Sequence, residues 1–151
     1  YFLDRCEFYF GSSAGCWKVA KIFRKPAYLV NHFPFGDLFV YPWKYPGIFK
    51  KIRLINENRI ISIKEMIKYN LNQINDENLL KKMGFEVLNN TPEEILSLAI
   101  ESEELHKLKD TNLQFSIKQA QVFQEMEKSE SKNFKYYKNP IGKEFLSKIN
   151  L

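Results

Sequence analysis

Glu7–Pro34, EFYFGSSAGCWKVAKIFRKPAYLVNHFP, is the stretch whose reading decides the fold. It starts with a short aromatic run, Phe8-Tyr9-Phe10, and predicts a buried strand over Glu7–Phe10. Five small residues follow, Gly11-Ser12-Ser13-Ala14-Gly15, and mark a turn. Cys16–Phe23 then spaces Trp17, Ala20 and Phe23 at helical intervals. Arg24 and Lys25 suit the negative end of a helix dipole, and Pro26 stops the helix. Ala27–Val30 is continuously apolar and predicts a second strand. Strand, turn, helix and strand in that order make a βαβ unit with parallel strands.

The first turn of such a unit is a binding device. The amides that open a helix have no intrahelical partners, and the helix dipole adds partial positive charge there. Gly11 and Gly15 allow close backbone approach, and the hydroxyls of Ser12 and Ser13 can donate to phosphate oxygens. The turn is neither a P-loop nor the dinucleotide fingerprint. It does spell G-x-S-x-G, with Ser13 in the nucleophile's place. A hydrolase of that kind needs an acid and then a histidine downstream. The candidates are Asp37 or Asp110 and His32 or His106, and the order leaves Asp37 with His106, which falls in a polar helix end. That match is poor. A plain strand-to-helix turn with a capping serine is the structural alternative.

Composition bounds the rest. The chain has 151 residues, 44% hydrophobic and 15% aromatic, enough for one domain with a real core. It is too apolar for a disordered chain and too charged for a membrane protein. No apolar run is long enough to span a bilayer, and Tyr1-Phe2-Leu3-Asp4-Arg5 lacks a secretory pattern. The chain opens without Met, just before a strand, so it is expected to begin inside a larger protein, with a trimmed tail as the other reading. The net charge of +5 comes mainly from dispersed lysines and is a solvated face before it is a binding patch. Cys6 and Cys16 are too few for a cysteine-rich zinc site and are expected to be two buried thiols in a reducing compartment.

Downstream, Asn31–Pro46 reads as an aromatic loop broken by Pro34, Pro42 and Pro46, with a short edge strand expected at Leu38–Tyr41. Gly47–Leu54 carries Lys50, Lys51 and Arg53, and Asn56-Glu57-Asn58 is a turn. Ser62 with Glu65 forms a capping box for a helix over Ile63–Asn70. A short helix over Glu77–Met83 ends at Gly84, and Phe85–Leu88 is a third strand. Thr91, Pro92 and Glu94 make a strong helix start, with Ile95, Leu98, Ala99 and Leu105 as the buried stripe. Leu113–Lys128 predicts a helix with Phe115, Ala120, Phe123 and Met126 inward. Ser129–Lys138 is polar, and a last helix over Ile141–Ile149 buries Ile141, Phe145, Leu146 and Ile149.

Phe10–Gly15, Lys25-Pro26, Val30-Asn31 and Phe33-Pro34 together resemble a family of bacterial glycosyltransferases of GT-B architecture. The resemblance continues through Ile61–Glu65, Phe85–Ile95 and Pro140–Leu151. It covers nearly the whole chain but only the carboxyl-terminal part of the family's length, and the order of the short motifs is its specific signal. It implies an α/β fold, a Rossmann-like half of a GT-B enzyme: a short parallel sheet flanked by helices, with extra C-terminal helices. Residues 1–128 would form the donor-binding domain, and 129–151 a connector and terminal helix.

The resemblance also implies that Gly11, Ser12, Ser13, Ala14, Gly15 and Cys16 receive the diphosphate of a nucleotide-sugar. Asn31, His32 and Phe33 would meet its sugar or base. No metal or cofactor is expected, because amides and hydroxyls would neutralise the leaving diphosphate. The general base belongs to a missing amino-terminal acceptor domain, so no catalytic residue is assigned and the chain alone is expected to be inactive. A lone His32 is more often a structural hydrogen-bonder than a catalyst. Glu93 and Glu94 read as dipole and capping residues. The expected location is the cytoplasm, with the inner membrane face as a second possibility. Two other classes stay open: a basic anion- or nucleic-acid-binding module, against which the dispersed lysines count, and a silent structural fragment.

Overall fold

Helix α2, Cys16–Ile22, joins two parallel strands, β1 at Tyr9–Ser12 and β2 at Ala27–His32. The computed structural model describes residues 2–39, 44–108, 115–127 and 138–151. Strand pairing starts where Tyr9 N donates to Pro26 O at 2.7 Å, with Tyr9 opposite Ala27 and Ser12 opposite Val30. The strand is therefore displaced two residues from Glu7–Phe10, and Gly11 and Ser12 are its last residues. One helical turn, α1 at Phe2–Arg5, precedes it.

Strand β3, Gly47–Phe49, pairs parallel on the other side of β2, giving the order β1-β2-β3. Leu29 lies opposite Gly47 and His32 opposite Phe49, so β2 spends one residue more than β3. Asn31 lies within that bulge, with φ 51°. No strand forms at Leu38. Phe35–Phe39 is a 3₁₀ turn, which sends Phe35 and Leu38, three residues apart, both into the core. Tyr41 lies outside the described residues.

After Lys50 the chain runs on as β4, Lys51–Leu54. β4 makes a hairpin with β5, Arg59–Ile60, and pairs antiparallel with β6, Phe85–Leu88. Phe85–Leu88 is thus a strand as expected, but in a second, antiparallel sheet ordered β5-β4-β6. Between these strands stand α3, Ile63–Lys68, and α4, Glu77–Lys82. The capping box of α3 closes with Glu65 N donating to Ser62 Oγ at 3.2 Å and Ser62 N to Glu65 Oε2 at 2.8 Å. Gly84, at φ 87°, takes the left-handed turn that ends the α4 segment.

Among the described residues three helices follow: α5 at Pro92–Leu108, α6 at Ile117–Glu127 and α7 at Lys143–Lys148. α2 covers one face of the parallel sheet by packing Trp17 and Ala20 against Ala27 and Leu29 of β2. Val30 points the other way and joins the larger core, with Phe49, Ile52, Leu98, Val122 and Phe145. α6 is rotated from expectation. It starts at Ile117, and Gln119, Val122, Phe123 and Met126 face inward, while Phe115 and Ala120 are exposed. The helix begins later because Ser116 Oγ caps it, accepting from Gln119 N at 3.2 Å. Leu113 and Lys128, its expected ends, lie outside the described residues.

Ile141 does not start a helix but forms a parallel bridge to Gly47, flanked by Gly47 N to Pro140 O and Gly142 N to Gly47 O, each 3.2 Å. Phe145 and Leu146 then enter the same core as β2 and β3. No helix among the described residues is long and apolar enough to cross a membrane.

Candidate functional site

The carboxyl ends of β1, β2 and β3 lie side by side, which in an open parallel sheet is where ligands bind. At the end of β1 the chain turns through Ser13, Ala14 and Gly15 into α2. Two aromatic side chains fix that turn by its carbonyls. Tyr9 Oη donates to Ser12 O at 3.0 Å, and Trp17 Nε1 donates to Ser13 O at 3.0 Å. Gly11 leaves room for the first of these, since a Cβ there would lie 2.8 Å from the Tyr9 oxygen and push the ring aside. Burial and the neighbouring Cys16 both push the Tyr9 phenol above its usual range, so it stays a donor.

With two carbonyls tied back, the exposed surface of the turn is made by Ser12, Ala14, Gly15 and Cys16, with Ser13 half-buried. No side chain caps α2. Among the described residues no backbone acceptor takes the amides of Ala14, Gly15 or Cys16. A small anion can meet these groups without displacing a protein contact.

At the end of β2, Asn31 and Asn90 exchange two bonds. Asn31 N donates to Asn90 Oδ1 and Asn90 N to Asn31 Oδ1, both at 2.6 Å, and Asn90 Nδ2 donates to Phe49 O at 2.8 Å. Asn31 is thus a brace joining β2, β3 and the segment before α5, with its Oδ1 already used. His32 is 4% exposed, and neither ring nitrogen has a hydrogen-bond partner among the described residues. Burial lowers its pKa to about 4, outweighing the opposing effect of the nearby Asp37 backbone. The ring is therefore neutral at pH 7 and sealed from solvent. Phe33 is half-buried beside it, against the core.

At the end of β3, Lys50 N donates to His32 O at 2.9 Å. Its ammonium lies 5.8 Å from the centre of the Phe33 ring and 2.9 Å from Glu77 Oε1. Lys51 turns the opposite way and meets Glu94 at 2.6 Å in a mostly buried pair. Glu94 Oε2 also accepts from Thr91 N at 2.9 Å, and Glu94 N donates to Thr91 Oγ1 at 3.3 Å. The expected capping box therefore exists, and α5 caps its own start with its own carboxylate. A cavity of about 290 Å³ abuts this helix start, lined by Phe49, Lys51, Ile63, Met66, Glu94 and Lys148 among others. A larger one, about 450 Å³, lies between α5, α6 and α7 and is lined by none of these edge residues.

The structure thus brings together the turn, Asn31, His32 and Phe33, and adds Asn90 and Lys50. In the sequence, Asn90 is one of two asparagines in a helix-start signal and Lys50 one of three scattered cations. Only strand pairing over long separations marks them. For the hydrolase spelling, His106 Nε2 meets Glu7 Oε2 at 3.2 Å and its ring lies 5.3 Å from Phe8, at the entry to β1. Ser13 follows the other end of that strand. Asp110 lies outside the described residues. No cluster of metal-ligating side chains occurs among the described residues. No known protein family, curated protein or solved structure matches the chain.

Proposed function

We propose that this chain is the donor-binding half of a bacterial GT-B glycosyltransferase and that its Gly11–Cys16 turn receives the diphosphate of a nucleotide-sugar. The observation that carries the reading is the exposed turn between β1 and α2, with the Ser12 and Ser13 carbonyls bonded by Tyr9 and Trp17. Amides and two serine hydroxyls are left to face an anion. The neighbouring ends of β2 and β3 offer Phe33 and Lys50 for the rest of the donor. In this reading the leaving diphosphate is stabilised by fixed dipoles on the protein, which cost no reorganisation as charge develops. The acceptor and general base come from the other half of the cleft. Asn31 acts by bracing the strand ends, and neutral His32 by filling the space beneath them.

Melting of the 151-residue chain with and without millimolar UDP, GDP, CDP, dTDP or ADP tests this. At least one nucleotide raises the melting temperature, as mass action requires, and quenches tryptophan fluorescence, since Trp17 bonds the turn. The double change Ser12→Ala and Ser13→Ala reduces the shift. A flat response to all five nucleotides sinks the proposal.

A further inference from the structure

We propose that the cavity of about 290 Å³ beside the start of α5 binds a small carboxylate with an apolar body, and that the Lys51 ammonium receives its carboxylate. This site is separate from the turn between β1 and α2. Its walls come from elements far apart in sequence. Phe49 of β3, Ile61 just after β5, and Ile63 and Met66 of α3 form an apolar interior, each 2% exposed or less. Lys51 of β4 and Glu94 of α5 bring charge to it. Ile60 and Asn150, both exposed, also line it and mark where it meets solvent. Ile63 N donates to Asn150 O at 3.1 Å, which fastens the end of the chain to α3 as one wall. An apolar interior with a few convergent polar groups is the make-up of a small-molecule site.

Size and bonding capacity select the ligand. A cavity of about 150 Å³ holds one benzene ring. This one therefore takes a ring with a short side arm. The polar end of the ligand is set by what the ion pair leaves open. Glu94 is engaged at both oxygens: Oε1 accepts from Lys51 Nζ at 2.6 Å, and Oε2 from Thr91 N at 2.9 Å. The Lys51 ammonium has three donors and, among the described residues, is bonded once, to Glu94. Its side chain is 14% exposed, so water has little access to the spare donors. Lys148, whose ammonium also pairs with the exposed Glu144, is in the lining too, so two cations face one carboxylate there. A carboxylate supplies the acceptors that the spare donors lack, in a charge-assisted bond. A ligand ammonium would meet two like charges and an acid already engaged.

Isotope-labelled methionine methyl groups report on the site in the 151-residue chain. Met66 lines the cavity, while Met83 lies exposed just after α4. Titration with phenylacetate shifts the Met66 methyl resonance saturably and leaves Met83 in place. Phenethyl alcohol, similar in shape but uncharged, binds about tenfold more weakly, and phenethylamine more weakly still. The double change Lys51→Met and Glu94→Gln removes both charges together, so neither is stranded, and keeps an acceptor for Thr91 N. In it phenylacetate loses its advantage over the alcohol. No Met66 shift with any of the three compounds overturns the site. Equal affinity of the wild type for acid and alcohol, or for acid and amine, overturns the role of Lys51. So does an undiminished preference for the acid in the double variant. If that variant does not fold, the wild-type order of the three compounds decides. The donor-binding reading is tested by nucleotides, and none of these outcomes moves it.

Discussion

His32 shows how one buried side chain makes the fold sensitive to acid. An unfolded histidine titrates near 6.5, and in the folded chain burial lowers that to about 4. The folded state refuses a proton that the unfolded state accepts, so the stability contribution is complete above pH 6.5 and drains away as the pH falls towards 4. Its size is about 3 kcal/mol across that window. Asp37 and Glu101 respond in the opposite sense, since burial raises both. The measurement is therefore a difference: urea unfolding of wild type and His32→Phe at pH 7 and pH 4.5. The variant loses less stability on acidification, and parallel losses would show that the imidazole carries no such penalty. From the sequence, His32 was legible as a residue at a strand end. Its isolation was not, because it depends on the core that Phe35, Leu38 and Phe49 build around it.

At the level of elements, legibility followed the range of the interaction. The boxes Ser62–Glu65 and Thr91–Glu94 are closed by groups three residues apart, and both were readable. The βαβ unit was readable for the same reason, since its turn and its stop are local. The second sheet was not, because β4 owes its strand conformation to β6, more than thirty positions away. α6 was misplaced by phase: its period was right, but Ser116 rather than an earlier residue sets its start. The site divides likewise, with the turn legible and its companions Lys50 and Asn90 delivered by long-range pairing. The two boxes differ in energetic weight. Ser62 is a partly exposed cap, and Ser62→Ala costs about 1 kcal/mol. Glu94→Ala also strands the Lys51 ammonium with little water access, and costs about 3 kcal/mol. Chemical denaturation of both variants ranks them, and equal losses would show that the Lys51 pair contributes nothing beyond the cap.

For the molecule as a whole, the last thirteen residues are structural. Ile141, Phe145 and Leu146 are each 3% exposed or less and share the core of the parallel sheet. Each such side chain contributes roughly 1.5–3 kcal/mol by leaving water, so removing all three takes away most of an ordinary stability margin of about 5–15 kcal/mol. A chain ending at Lys138 shows no cooperative thermal transition by circular dichroism, and a sharp transition near the wild-type temperature would refute this. β3 and β4 form one nearly continuous run of backbone, parallel-paired up to Phe49 and antiparallel-paired from Lys51, with the Lys50 amide fastened to His32 in between. A sheet can lose protection to deuterium only by releasing its strands, and this strand belongs to both sheets. The amides of Lys50, Ile52 and Leu29 therefore exchange in a single slow opening. A ligand that tightens the carboxyl edge would slow deuterium uptake in the distant hairpin as well.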